Sequence, residues 1–568
     1  MAETAIAQTP PILQGPTEKE KKYDRQLRLW AASGQAALES ANILLLNSGA
    51  GTVGVEALKN LVLPGIGRFT IADDAVVREA DLGINFFLDE GSLGRSRAES
   101  ATKLLLELNP EVRGDWFPKS EEKLDLEKIL VSSSPFTLIM YTNPIRQEDL
   151  ATINAHASRH RIPVVSVHSA GFYSYFQFRL PGTFPIVDTH PEVDKTTDLR
   201  LLNPWPELSA FAKDMTQDID KLDDLEHGHL PYVVLLLHFL EQWRDSHEGK
   251  NPLSFKEKSE FAKLVEGSAR TNNSEGGEEN FQEAVAAINK NIKVHELEDG
   301  LKEVFNHEVP SEIERQSSFW IIARAINLFY QKHGCLPLPG SLPDMKAKSN
   351  VYVKLQRLYK EKARKDAQEV LASVRASVGG KGVDPSEVDL FCKNARFVKL
   401  INAKPRGSHL SQIFDDERAS DEEAEAMKIQ TDGAFSLPLS NFFIYLALKA
   451  TSHNPAATAA EIVKSVTEAV SQAAEYERMH QIAEEVARAG GGELHNISAL
   501  TGGMVAQEVI KIITKQYIPI DDTCIFDGIS SRCQVLRLCG GDHERPCSQE
   551  ESAVSQVNAP EFALGIRV

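Results

Sequence analysis

The residues best suited to chemistry form a glycine-rich turn near the start of the chain. Residues 49–54 read GAGTVG, the spacing G-x-G-x-x-G, between an apolar strand pattern at 42–47 and a helical pattern at 53–63. In this setting the first glycine permits a tight turn, the second lets a phosphate approach the backbone, and the third lets the helix pack closely on the sheet. Asp73 follows Gly51 by 22 residues, where an acid that binds a ribose is expected. Gly49, Gly51, Gly54 and Asp73 are therefore candidate nucleotide-binding residues, although the same glycines also suit a turn that binds nothing.

The cysteines and histidines carry weaker signals. Cys335 and Cys392 are predicted to be buried or incidental thiols. The cysteines at 524, 533, 539 and 547 contain no C-x-x-C pair, and His227 and His229 have no further ligands at metal-binding spacing. We therefore predict no metal site. Six cysteines in a chain of this length are too few for a disulfide scaffold and fit a reducing compartment.

Alternating strand and helix patterns position the glycine turn. A strand is predicted at 68–72, and the later patterns predict helices at 98–108 and 147–158 and strands at 136–141 and 163–167. Such alternation is typical of an α/β fold with a mostly parallel, doubly wound sheet. A helix at 497–515 and strands near 524–526 and 535–538 follow much later in the chain.

Long helical patterns dominate the chain between about 190 and 485. They cover 232–243, 255–266, 280–291, 319–332, 351–373 and 456–487. The acidic run at 415–425 is predicted to be a solvated loop, with docking of a partner as the alternative.

Composition excludes several classes of protein. The 568 residues are 42% hydrophobic, and 62 Lys and Arg against 81 Asp and Glu give a net charge of −19. Such a charge argues against nonspecific binding to nucleic acid or to an anionic membrane, because the field of the whole chain repels phosphate. No apolar run approaches the ~18 residues of a membrane span, and the first residues do not have the pattern of a secretory signal. We expect a cytoplasmic or nuclear protein, or one present in both compartments.

Several segments resemble the ubiquitin-activating-enzyme superfamily in order and spacing. They are YDRQL at 23–27, the glycine turn, GIGRFTI at 65–71 leading to Asp73, and GGMVAQEVIKIITK at 502–515. The segments NFFL at 85–88 and PYVVLLLHFLEQW at 231–243 are most similar to the regulatory subunits of heterodimeric neddylation-activating enzymes. The resemblance implies a doubly wound, Rossmann-like adenylation fold interrupted by a large, mostly helical insertion, which stands where the family has its catalytic-cysteine domain. The implied divisions are a disordered lead at 1–18, adenylation parts at 19–185 and 488–540 around an insertion at 186–487, and a tail at 541–568.

The chain departs from active members of that family at positions that serve ATP and Mg²⁺. Ala75 stands where active members carry a second Asp, residues 83–87 read GINFF where they carry an Asn-Arg-Gln stretch, and Arg97 replaces a lysine. Neither Cys335 nor Cys392 lies between the Pro and Thr that flank the family's nucleophile. The resemblance therefore implies that this chain binds no cofactor productively, that its glycine turn and Asp73 are vestigial, and that ATP and Mg²⁺ bind to a partner subunit.

The resemblance also implies residues that act on that partner. In the family an arginine at the position of Arg25 reaches across the dimer to the ATP phosphates; the alternative is a surface arginine paired with Asp24 or Glu20. Gly502, Gly503 and Gln507 would lie at the subunit interface, because the glycines permit close approach of another backbone.

The implied function is that of a non-catalytic subunit. Its partners would be a catalytic activating-enzyme subunit in an obligate heterodimer, the neddylation modifier and, through the complex, a conjugating enzyme. Three alternatives stay open: the regulatory subunit of a SUMO-activating enzyme, a self-sufficient adenylating enzyme of the sulfur-carrier type, and a nicotinamide oxidoreductase.

Overall fold

The computed structural model describes residues 16–119, 123–131, 134–192, 195–271, 277–294, 296–309, 315–402 and 410–538. The predicted lead at 1–18 lies outside these ranges except for residues 16–18, and the predicted tail at 541–568 lies outside them entirely.

The sheet contains both early and late parts of the chain. The strands are β1 Asn42–Leu46, β2 Arg68–Ala72, β3 Arg113–Phe117, β4 Leu138–Thr142, β5 Val164–Ala170, β6 Tyr173–Arg179, β7 Thr183–Val187, β8 Val398–Asn402, β9 Thr523–Asp527 and β10 Arg532–Leu536. Eight of them form one sheet in the order β10-β9-β6-β5-β4-β1-β2-β3, and β7 pairs with β8 separately. The run from β5 to β3 is parallel, whereas β6, β9 and β10 are antiparallel to their neighbours. The predicted fold class is confirmed.

The helices account for most of the remaining described chain. They are α1 Glu18–Lys22, α2 Asp24–Ser40, α3 Thr52–Val62, α4 Glu79–Leu82, α5 Arg97–Leu108, α6 Leu126–Leu130, α7 Gln147–His160, α8 Pro206–Thr216, α9 Asp224–His227, α10 Tyr232–Ser246, α11 Phe255–Glu266, α12 Glu279–Asn291, α13 Asp299–Asn306, α14 Ser318–His333, α15 Ser349–Ala376, α16 Pro385–Lys393, α17 Leu410–Gln430, α18 Phe442–Ala450, α19 Ala459–Ala469, α20 Glu477–Ala489 and α21 His495–Thr514.

The sheet is covered by helices from both ends of the chain. All five residues of β1 are buried, as expected for a parallel strand with helices on both faces. Helices α3 and α21 pack against each other and share one apolar core with the strands. Helices α18, α19 and α20 pack with β5, β6 and β9 in a second core. Part of the predicted helical insertion therefore contributes directly to the core of the sheet.

Two predictions in that part of the chain are wrong. The helix predicted at 456–487 is interrupted, because Val470 adopts an extended conformation and is fully buried between α19 and α20. The acidic run at 415–425 lies within α17 and is not a solvated loop. Its Asp421 is buried, where it pairs with Arg478 and accepts hydrogen bonds from the Tyr476 hydroxyl (2.9 Å) and the Ser440 N–H (2.6 Å). These partners compensate the cost of burying the carboxylate.

Helix α21 has the length and hydropathy that could cross a membrane, and it is the only described helix that does. Most of it is buried against α3, α2 and the strands. An apolar core helix of a globular protein has the same composition.

Candidate functional site

The glycine turn connects the carboxyl end of β1 to α3. Gly49 and Gly51 have φ angles of 61° and 69°, in the left-handed region that side chains disfavour. A Cβ at Gly51 would also collide with the side chain of Asn47, and one at Gly54 would lie 2.7 Å from Asn47 Oδ1. All three predicted glycines therefore lie together where the sequence placed them, and the structure needs each of them for the shape of the turn.

Asp73 lies beside the turn and is held there by Arg97. The guanidinium donates from Nε to Asp73 Oδ2 (2.7 Å) and from Nη2 to Oδ1 (3.1 Å), and both side chains are buried. Asn47 Nδ2 and the Ala75 N–H donate to the same carboxylate, at 2.9 and 3.0 Å. Each carboxylate oxygen of Asp73 thus accepts two hydrogen bonds from this chain. Neither oxygen is left free for the hydroxyls of a ribose.

Arg97 also closes the turn itself. Its Nη1 donates to the carbonyl oxygens of Gly49 (2.8 Å) and Ala50 (3.2 Å). Arg97, which stands where the resemblance places a lysine, therefore points into the turn. There it links the Asp73 carboxylate to the carbonyl oxygens of Gly49 and Ala50.

The amino terminus of α3 is occupied by the side chain of Glu493. The Val53 N–H donates to Glu493 Oε2 (2.8 Å), and the Gly51 N–H and the Ser498 hydroxyl (2.6 Å) also donate to this carboxyl group. Burial raises the pKa of Glu493, while these donors and the nearby Arg97 oppose the rise. A helix amino terminus is where this fold binds a phosphate. Here the carboxyl group of Glu493, which comes just before α21, takes that position.

Unlike Arg97, the departures at Ala75 and at residues 83–87 bring no charged side chain to the site. Ala75 offers only its backbone, and Asn85 is buried with its Oδ1 accepting from the Phe87 N–H (3.0 Å). Phe86 is 68% exposed and stacks on His495 with ring centroids 3.8 Å apart. The turn, Asp73 and these segments meet at one site, where the amino terminus of α3 and both oxygens of Asp73 already have partners in this chain.

Arg25 lies away from this site, on the exposed face of α2. Neither predicted alternative partner engages it: Asp24 pairs with Arg28 (3.0 Å), and Glu20 caps α1 through Thr17. Within the described ranges, the Arg25 guanidinium has no hydrogen bond or ion pair. The side chain is therefore exposed and available to a second molecule.

The predicted interface residues on α21 separate into two kinds. Gly502 is buried, and a Cβ there would lie 2.7 Å from Ala57 N and 2.8 Å from the Glu56 carbonyl carbon. This is a correction: the close approach that Gly502 permits is to α3 of the same chain. A Cβ at Gly503 would meet nothing within 4 Å, and Gln507 is exposed, so these two residues lie on the outer face of α21.

The two cysteines of the helical region differ in exposure. Cys392 is buried, and burial raises the pKa of its thiol to about 12. Cys335 is partly buried, and neither takes part in a disulfide. A thiol with a raised pKa has almost no thiolate at neutral pH, which makes Cys392 a poor nucleophile.

Sequence reasoning missed Glu493 and the ion pair between Arg97 and Asp73. Glu493 follows three glycines and precedes α21, so nothing in its local pattern connects it with a turn 440 residues earlier. Arg97 is 24 residues from Asp73 in the sequence, so no local pattern connects these two residues either.

Comparisons with known proteins agree on one group. A family model described as the ThiF family matches residues 23–548. The NEDD8-activating enzyme E1 regulatory subunit of Xenopus laevis is 34% identical, over 92% of this chain and 99% of the relative. The protein of the same name from Danio rerio is 32% identical, over 92% and 99%. The NEDD8-activating enzyme E1 regulatory subunit AXL of Arabidopsis thaliana is 32% identical, over 92% and 100%.

Proposed function

Since the chain belongs to the ThiF family, among the regulatory subunits of NEDD8-activating enzymes, we propose that it is the non-catalytic half of a heterodimer that adenylates the neddylation modifier. The catalytic subunit would hold ATP, Mg²⁺ and the nucleophilic cysteine. The match extends through the helical insertion as well as the sheet, which favours this reading over the alternatives that share only the adenylation fold.

The observation that carries the proposal is that side chains of this chain fill its nucleotide half-site, the name we use for the glycine turn, the amino terminus of α3 and Asp73. Glu493 takes the position of a phosphate at α3, and Arg97 takes both oxygens of Asp73. A second anion at α3 would have to displace a buried carboxyl group and its three donors. This chain would therefore contribute structure, modifier docking and Arg25, while the chemistry takes place on its partner.

Arg25 is the residue that we assign to the partner's ATP site. During adenylation the terminal carboxylate of the modifier attacks the α-phosphorus of ATP, and pyrophosphate leaves with the electron pair of the broken P–O bond. Negative charge on the phosphates increases along this path, and a guanidinium beside them stabilises it. The exposed, unpaired state of Arg25 within the described structure supports this role, because no internal ion pair has to be broken first.

The steps after adenylation would also take place on the catalytic subunit. The modifier adenylate would be attacked by the partner's cysteine, which releases AMP and forms a thioester that is then passed to the conjugating enzyme. The high pKa of Cys392 supports a passive role for this chain in that step.

Reconstitution with the catalytic subunit tests the proposal. Arg25→Ala should lower modifier-dependent pyrophosphate exchange by on the order of 100-fold, the effect of removing one cationic or hydrogen-bonding group from a transition state, and should leave heterodimer affinity unchanged. Arg28→Ala is the matched control, since Arg28 is exposed three residues away but pairs with Asp24. An unchanged rate for Arg25→Ala, or full exchange activity from this chain alone, would refute the proposal.

A further inference from the structure

The part of α2 that carries Arg25 is a short surface segment with a break at its end. Trp30 (φ −125°) and Ala31 (φ 55°) depart from helical geometry, so residues 24–29 form a separate stretch of helix. Every residue in this stretch is exposed or only partly buried. Its direction therefore depends on what holds its two ends, because packing along its length is sparse.

The first end is held by Tyr23. Its side chain is 2% exposed, and its hydroxyl donates to Glu111 (3.0 Å) and accepts from Asn109 Nδ2 (3.0 Å). These contacts fix the start of the segment to the loop before β3.

The second end is held by residues that follow α21. A break leaves the carbonyl groups before it without donors from the next turn, so they need other partners. Gln516 Nε2 donates to the Trp30 carbonyl (3.0 Å) and approaches Ser33 Oγ (3.3 Å), while the Tyr517 hydroxyl donates to the Leu29 carbonyl (3.4 Å). Gln516 is only 5% exposed, which strengthens its bond to Trp30 by excluding water.

The residues that follow α21 also accept hydrogen bonds from the part of the chain that leads into the helical insertion. The Val187 N–H donates to the Lys515 carbonyl and the Thr189 N–H to the Gln516 carbonyl, both at 3.0 Å. Between them, the Asp188 N–H donates to the Phe397 carbonyl (3.1 Å). Gln516 thus joins the helix that carries Arg25 to the base of the insertion.

We propose that Gln516 is a positioning residue for adenylation, which orients residues 24–29 so that Arg25 reaches the nucleotide on the partner subunit. This rests on the proposed function of Arg25. Gln516 contacts no reactant; it acts by holding the carbonyl at the helix break.

Gln516→Met tests this in the reconstituted heterodimer, because methionine has nearly the volume of glutamine but cannot donate the hydrogen bonds of the amide. We expect pyrophosphate exchange to fall about fivefold, the effect of one lost hydrogen bond, together with faster amide hydrogen exchange in residues 24–29. In the Arg25→Ala background the same substitution should change the rate by less than about 1.5-fold, since independent effects would multiply. Gln177→Met is the matched control: Gln177 Nε2 donates to Asp522 (2.9 Å) in the sheet, and it should affect neither readout.

The outcomes separate this inference from the function on which it rests. An unchanged rate for Arg25→Ala would overturn both. A slow Arg25→Ala enzyme with a normal Gln516→Met enzyme would overturn the inference alone. So would an equal loss in both backgrounds, because that result marks a general structural role. If Gln516→Met disturbs folding, Gln516→Glu keeps a polar side chain of the same length and should produce the same Arg25-dependent loss.

Discussion

Arg97 and Asp73 form the most enclosed ion pair of the nucleotide half-site, and their energetics differ from those of a surface pair. Removing one partner of a buried pair leaves an uncompensated charge. We predict that Arg97→Ala destabilises the chain by about 3–5 kcal/mol in urea unfolding.

The control for this prediction is Arg28→Ala, which breaks the exposed pair with Asp24 and should cost about 0.5 kcal/mol or less. Equal effects of the two substitutions would mean that Asp73 is not held as described.

Glu493 and Arg97 also mark the limit of reasoning from the sequence at single residues. The glycine turn and Asp73 could be predicted from the sequence because they belong to one short strand-turn-helix-strand unit, whose residue spacing is visible along the chain. The side chains that fill the site come from α5 and from the segment before α21, and only tertiary structure brings them to the turn. An arginine in place of a lysine suggested a lost function, whereas its new partners are visible only in three dimensions.

At the scale of elements, the packing of α3 on α21 depends on a residue without a side chain. A methyl group at Gly502 would press into the backbone of α3 at Glu56 and Ala57. We predict that Gly502→Ala destabilises the chain by about 1–3 kcal/mol, the usual cost of overpacking, as measured by thermal or urea unfolding.

Gly503→Ala gives the opposite prediction one position further along the helix. The new methyl meets open space, and alanine favours helix over glycine, so stability should rise by about 0.5–1 kcal/mol. If the outer face of α21 contacts the catalytic subunit, the same substitution should weaken heterodimer formation in a titration of one subunit with the other. A loss of stability for Gly503→Ala would contradict the open space found beside this residue.

The elements themselves were largely predictable. The strand at Arg68–Ala72 and the helix at Phe255–Glu266 were predicted with the observed bounds, because each has a clear apolar period between polar ends. The acidic stretch of α17 was not, since its charges resemble a solvated loop until Arg478 and Tyr476 are seen beside Asp421. The break at Val470 was hidden by an apolar pattern that continues across it.

At the scale of the whole molecule, the filled half-site has a consequence for ligand binding. A ligand that binds the folded state raises the unfolding temperature by mass action. We predict that ATP with Mg²⁺ leaves the unfolding temperature of the isolated chain unchanged in a thermal-shift measurement, because Glu493 and Arg97 occupy the positions of its phosphate and ribose.

The catalytic subunit added without nucleotide should raise the same temperature in a concentration-dependent way, which shows that the measurement responds to binding. A saturable rise with ATP on the isolated chain would contradict the occupied half-site.

The contact between Glu493 and Val53 can form only late in the synthesis of the chain. The two residues are 440 positions apart, and β9 joins β6 only after the helical insertion has been made. At a synthesis rate of about 5–20 residues per second, roughly 20 to 90 s separate translation of the glycine turn from that of its internal carboxyl ligand. Until those late residues are made, the edge of β6 that pairs with β9 and the part of α3 that packs on α21 lack their native partners. Unpaired strand edges promote aggregation, so we expect the six strands already made to need protection at that edge until β9 and α21 have been synthesised.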